Sequence, residues 1–121
     1  MTPTNGTWVV REVDSATVER LAAGHVPDPM ATELGVDLVG DPNREDDEGY
    51  IWTRLSRSRD VRVVVPGSAV VLGSDVGRYL GKVVAWDFEV SDTDPIVTLE
   101  LVPVSVEAVE AALERTRTTA A

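Results

Sequence analysis

Apolar and polar residues alternate along most of residues 50–102, and this period of two predicts β-strands. The clearest run covers residues 82–90, in which Val84 and Trp86 share one face and Val83 lies on the other. Further strands are predicted at residues 50–55, 61–65, 69–72 and 96–102. Short turn-forming segments separate neighbouring runs, so we expect hairpins and a mainly antiparallel sheet.

A short amphipathic helix is predicted near the N-terminus. Val18 and Leu21 recur at helical spacing, and Asp14 or Ser15 before them can accept hydrogen bonds from the first free amides. Gly24 ends the pattern.

A second helical turn is predicted to begin at Asp28 and Pro29 and to close at Gly35. Short strands are expected on either side of this helical region, at residues 7–13 and 36–39.

A last helix is predicted after Ser105, with Val106, Val109 and Leu113 on one apolar face. We expect this face to cap the sheet, and residues 116–121 to fray.

Together these elements predict an α+β fold in a single domain of residues 1–121. Residues 50–102 are compatible with a small antiparallel sheet or with an SH3-like or PRC-like barrel, flanked by a short N-terminal helix and a C-terminal capping helix. This likeness concerns the architecture alone, because no diagnostic motif accompanies it. Residues 41–49 have no apolar side chain and are predicted to form an acidic, solvated loop.

Charge is unevenly distributed along the chain, whose formal net charge is −10. Residues 1–49 carry eleven acidic and three basic side chains, and residues 87–121 carry eight and two. Residues 50–86 reverse the balance, with six basic and two acidic side chains. The overall charge repels a phosphate backbone, so direct nucleic-acid binding is not expected. The central arginines either form a local basic strip or pair with the chain's own acidic segments, and pairing is the expectation.

Several kinds of chemistry are disfavoured by composition. The chain has no Cys, which excludes disulfides, thiolate metal sites and a Cys nucleophile, and His25 is its one histidine. Neither a membrane-spanning apolar run nor a secretory signal is present, so a cytoplasmic location is expected, or a virion if the chain is phage-encoded. We predict no cofactor, no metal site, no catalytic residue and no membrane contact.

Two near-motifs fail on spacing. A calcium loop starting at Asp41 would need Gly and Glu where Asp46 and Trp52 stand. Between Gly77 and Lys82, the glycines are one residue too close for a phosphate-binding loop. Gly73, Gly77 and Gly81 are instead predicted to occupy positive-φ positions in a bend between strands.

A partner-binding strip is predicted where aromatic and arginine side chains interleave. Trp, Tyr and Arg are the residue types that dominate interface hot spots. The predicted strip comprises Tyr50, Trp52, Arg54, Arg57, Arg59 and Arg62. The alternative is that both aromatic side chains pack against the terminal helix.

The expected function is a non-catalytic, acidic protein–protein interaction or assembly module of a small bacterial or bacteriophage protein, with a protein partner or self-assembly. One alternative is an acidic decoy that occupies the phosphate-binding groove of a nucleic-acid-binding protein. A second alternative is a small-ligand or metal-dependent catalytic domain that uses His25 or the acids of residues 45–48.

Overall fold

The computed structural model describes residues 13–75, residues 77–102 and six residues between 107 and 115. This described part of the chain contains two complete helices, α1 (Ser15–Ala23) and α2 (Pro29–Leu34). Its five strands are β1 (Leu38–Val39), β2 (Ile51–Arg54), β3 (Ala69–Ser74), β4 (Gly77–Asp87) and β5 (Ile96–Leu101). Single 3-10 turns cover Leu55–Arg57 and Val61–Val63. Except for Val13, the strand predicted at residues 7–13 lies outside the described residues.

Both predicted N-terminal helices are confirmed. The Asp14 carboxylate accepts the backbone N–H of Thr17 at 2.8 Å, so Asp14 is the N-cap of α1, and the helix buries Val18 and Leu21. The second helix, α2, ends at Gly35, whose φ of 70° lies in the left-handed region that favours glycine.

The strands form one sheet in the order β1-β3-β4-β5-β2. Three of its four pairings are antiparallel, whereas β1 and β3 are parallel. The prediction of a mixed α+β fold with a mainly antiparallel sheet is therefore confirmed. The expectation of hairpins holds for β3-β4-β5 but not for β2, which pairs with β5 rather than with β3, the next strand along the chain.

The sheet curls so that its two edges meet. Leu38 of β1 forms an isolated antiparallel bridge with Ser58, just after β2, and the Thr53 hydroxyl of β2 donates to the Val39 carbonyl at 2.9 Å. The Arg59 backbone N–H donates to the Asp37 carbonyl at 2.9 Å. The result is a curled, barrel-like sheet with an apolar interior.

The interior combines α1 with one face of the curled sheet. Its fully buried side chains include Leu38, Leu72, Val83, Val97 and Leu99. A smaller cluster packs α2 against the other side of β3, through Ala31, Val36, Val39 and Val71.

The prediction of a strand at residues 61–65 is wrong. Val61–Val63 form a 3-10 turn because the Asp60 side chain accepts the Arg62 backbone N–H at 3.0 Å, a cap that competes with extended pairing. Val61 and Val64 are nevertheless buried, as their apolar character predicts.

The prediction of strict alternation along β4 is also wrong. The register shifts between Val83 and Ala85, so a β-bulge places Val83 and Trp86 in the same core although the pattern assigned them to opposite faces. The strand ends at Asp87, and Val90 is exposed. On β5, Val97 and Leu99 point inward as predicted, whereas Leu101 is exposed.

The predicted glycine bend is shorter than expected. Gly77 has positive φ, but Gly73 and Gly81 do not and lie within strands. Gly73 serves close packing instead, because a Cβ there would lie 2.6 Å from the Val36 side chain.

The helix predicted to cap the sheet at the C-terminal end is only partly covered by the described residues. Residues 107, 108, 110, 111, 114 and 115 are helical. The apolar face predicted to cap the sheet, Val106, Val109 and Leu113, lies outside the described residues, as does the tail at 116–121.

Candidate partner-binding groove

A surface groove of about 600 Å³ lies between α2, β2 and the loop that precedes β2. Its charged or large side chains are Met30, Asp41, Arg44, Trp52, Arg54 and Arg57. Small or buried residues complete the lining, namely Val39, Gly40, Thr53 and Ser74. We call this feature the arginine groove, because three arginines share it with a single carboxylate.

Trp52 is fixed in the groove by backbone and ring contacts. Because β2 alternates, Ile51 and Thr53 are buried and Trp52 points to the outer face, where it is half-buried. Its backbone N–H donates to the Arg44 carbonyl at 3.2 Å, and the Arg44 guanidinium carbon lies 5.4 Å from the indole centroid. That distance allows a cation–π contact, so the aromatic ring carries a cation on its face.

Arg57 is held at the groove by the start of α2. Its Nε–H donates to the Asp28 carboxylate at 2.8 Å, and the other oxygen of Asp28 accepts the backbone N–H groups of Met30 and Ala31. Burial alone would raise the pKa of Asp28, but Arg57 and the two amides outweigh it and lower that pKa on balance. One carboxylate thus caps a helix and orients a guanidinium.

Arg54 is held more loosely. Its Nη1 lies 3.9 Å from the Asp94 carboxylate and donates to the Asp94 carbonyl at 3.5 Å, which is the limit of a hydrogen bond. Asp94 is itself engaged by the backbone N–H and the hydroxyl of Ser56 at 2.8 and 2.9 Å. The Arg54 side chain remains 43% exposed, as does that of Arg57.

The structure therefore brings together Trp52, Arg54 and Arg57 of the predicted strip. The other three members lie elsewhere. Arg62 forms a two-point pair with Glu19 of α1, which lowers the pKa of Glu19 through the hydrogen bond and the charge of Arg62. Arg59 lies 3.7 Å from the buried carboxylate of Asp37.

Tyr50 sits in acidic surroundings. Partial burial and the charges of Glu100, Glu48 and Asp46 raise the pKa of its hydroxyl. The expectation that the central arginines pair with the chain's own acids is met by Arg54, Arg57, Arg59 and Arg62.

Arg44 and Met30 were not singled out by the sequence pattern. Arg44 stands in the acidic loop, which folds back on β2 because the Asp46 carboxylate accepts the backbone N–H groups of Glu48 and Tyr50, both at 2.9 Å. The sequence does carry a signal for this turn, because Asp46 with Gly49 three residues later is typical of a tight turn. Such a turn aligns Arg44 with Trp52.

A second cavity of about 530 Å³ lies beside His25, between α1 and the turn after β2. His25 Nε2 lies 2.9 Å from the Ser58 carbonyl and 3.3 Å from its hydroxyl. Ser58 is fully buried, and its hydroxyl donates to the Leu55 carbonyl at 2.7 Å. This geometry fits a structural contact between His25 and the segment after β2, because the Ser58 hydroxyl donates to the Leu55 carbonyl and not to the histidine ring.

The described part of the chain contains no group of three or more His, Asp or Glu side chains arranged to hold a metal ion. None of its helices combines the length and apolar character needed to cross a membrane. Comparison of the chain with protein-family models, with curated proteins and with solved structures finds no match.

Proposed function

We propose that this chain is a non-catalytic protein–protein interaction module that binds its partner through the arginine groove. The main support for this proposal is that Trp52, Arg54 and Arg57 line one concave surface together with Arg44. Trp and Arg are enriched among residues that dominate binding energy, especially where they line a pocket rather than a flat face.

The groove is rigidly supported, which favours recognition. Trp52 lies on a paired strand, and Arg57 is oriented by a carboxylate that also caps α2. Side chains held in place before binding lose less conformational entropy when a partner is bound. The exposed part of Met30, 40% of the residue, adds apolar surface beside the cations.

We further propose that the curled sheet is a small barrel of the SH3-like or PRC-like kind. The contacts between β1 and the segment after β2 support this proposal, since they bring the two edges of a five-stranded sheet together.

The proposal is tested by affinity purification of the tagged chain from its native host, with washes at low and high salt. The groove variant is Arg44→Glu with Arg54→Glu, because neither side chain forms a short ion pair with a described residue and the fold should tolerate both changes. The matched control is Arg20→Glu with Arg62→Glu, which makes the same change in net charge away from the groove.

We expect a stoichiometric partner that the wild type and the control retain and the groove variant loses. Equal retention of that partner by both double variants would overturn the assignment of the binding surface. Circular dichroism of all three proteins checks that each is folded.

A further inference from the structure

Guanidinium donors in the arginine groove outnumber the acceptors that the described residues offer them. Each guanidinium has five N–H donors. Arg57 uses Nε on Asp28, and its Nη2 has the Met30 sulfur, a weak acceptor, at 3.7 Å. Arg54 makes a single hydrogen bond at the distance limit. Arg44 forms no ion pair with any described residue and lies over Trp52.

Arg54 and Arg57 are each 43% exposed and Arg44 is exposed as well, so these donors face solvent and are accessible to an acceptor from a partner. Arg guanidinium groups match carboxylates in a two-point geometry that is stronger than neutral hydrogen bonds. Met30 and the indole of Trp52 border the same space, so an apolar side chain next to the carboxylate would also find a contact. We propose that the arginine groove binds a peptide segment that carries an acidic residue adjacent to an apolar one.

The charge of the rest of the chain selects against polyanions. The groove itself contains Asp41, and four consecutive acids follow at residues 45–48 within a chain of net charge −10. A nucleic acid would bring a row of phosphates against these acids, whereas a short peptide brings one or two carboxylates directly to the arginines. The local attraction then acts over a few ångströms, where salt screens it least.

This inference rests on the proposed function and specifies the chemistry of the partner. The probe is a display library of random short peptides, selected on the full chain and counter-selected on the Arg44→Glu, Arg54→Glu variant. Peptides that depend on the groove are synthesised, and their dissociation constants are measured by tryptophan fluorescence and calorimetry. Each peptide is also made with its acidic residue changed to the amide, Glu→Gln or Asp→Asn.

We expect selected peptides to contain Asp or Glu beside an aliphatic or aromatic residue. The amide form should bind about tenfold more weakly, the loss that follows from removing a charge-assisted hydrogen bond. The Arg20→Glu, Arg62→Glu control should bind as the wild type does.

Equal affinity of acid and amide forms would overturn this inference while leaving the groove as a protein-binding surface. Failure to select any groove-dependent peptide would also overturn it. Binding of free small carboxylates as tight as that of the peptides would assign the groove to a small-molecule ligand instead. The native-partner experiment judges the proposed function separately, because it does not depend on acidic peptides.

Discussion

Removing the buried charge of Asp37 should destabilise the fold more than any surface substitution. Asp37 is 3% exposed; its Oδ2 accepts the Val71 backbone N–H at 2.8 Å, and its Oδ1 lies 3.7 Å from Arg59 Nη2. At an effective dielectric constant of about 20, unit charges at that distance attract by roughly 4.5 kcal/mol before desolvation is subtracted. Breaking a buried pair by removing one partner typically costs about 3–5 kcal/mol.

We therefore expect Asp37→Ala to lower the free energy of unfolding by about 3–5 kcal/mol, since it also leaves the buried Val71 amide without its acceptor. Asp37→Asn keeps an oxygen for that amide and should cost about 2 kcal/mol. Arg59→Ala leaves the buried Asp37 carboxylate without its cation but keeps the Val71 hydrogen bond, so it should cost less than Asp37→Ala, which loses both contacts.

The assay is urea unfolding followed by circular dichroism, with each single variant and the Asp37→Ala, Arg59→Ala double variant. Because the two residues interact, the double variant should lose less stability than the two single losses added together. Strict additivity would refute the ion pair as a stabilising interaction. If Asp37→Asn destabilised the protein as much as Asp37→Ala, the hydrogen bond from the Val71 N–H would not contribute measurably to stability, because Asn keeps an oxygen that can accept it.

Three further outcomes are expected. Because folding lowers the pKa of Asp28, its contribution to stability is complete above the unfolded pKa of about 4 and is lost as pH falls through the lower folded pKa. Asp28→Asn keeps a capping oxygen but loses the charge facing Arg57. In urea unfolding at a series of pH values from neutral to acidic, this variant should therefore lose less stability on acidification than the wild type does. Trp86→Phe removes a buried indole N–H that donates to the Val64 carbonyl at 2.9 Å, so it should cost about 2 kcal/mol in thermal unfolding, and a loss near zero would contradict that contact. Gly35→Ala forces a side chain into φ of 70° and should cost about 1 kcal/mol by the same measurement, whereas a stabilised variant would show that the left-handed cap is not needed.

Local signals predicted the parts of the fold that local physics decides. Asp14 and Asp28 begin helices as capping residues do, and Gly35 ends one. The burial of Ile51 and the outward direction of Trp52 follow from alternation along one strand. Each of these features depends on a few neighbouring residues, which is the range that a sequence pattern covers.

Pairing between distant segments was beyond those signals. Nothing in the apolar pattern distinguishes β5 from β3 as the neighbour of β2, and a two-residue β1 carries too little pattern to indicate a parallel partner. The bulge at Val83 breaks the period of two without any Gly or Pro to mark it. Strand register and sheet order are set by tertiary packing, which a single sequence does not display.

The candidate site shows the same division. Trp52, Arg54 and Arg57 were predicted because they lie within one short stretch of chain. Arg59 and Arg62 lie in that stretch too, but the turns at Leu55–Arg57 and Val61–Val63 direct them to Asp37 and Glu19. Arg44 reaches the groove only because a turn reverses the acidic loop. No pattern in the sequence selects it, since it is the one basic residue in a segment, 41–49, that is otherwise rich in acids.

The strand order also constrains how the chain folds as it is synthesised. β3, β4 and β5 are sequence neighbours and pair with each other, so they can assemble through short loop closures. β2 is made early, but the strand with which it pairs in the described sheet, β5, follows more than forty residues later, and β1 must wait for β3. The groove, which takes residues from α2, β2 and the loop between β1 and β2, is therefore completed only after β5 has left the ribosome. A truncated chain that ends before Ile96 would expose Trp52 and Ile51 on an unpaired strand, which is the kind of edge on which aggregation begins.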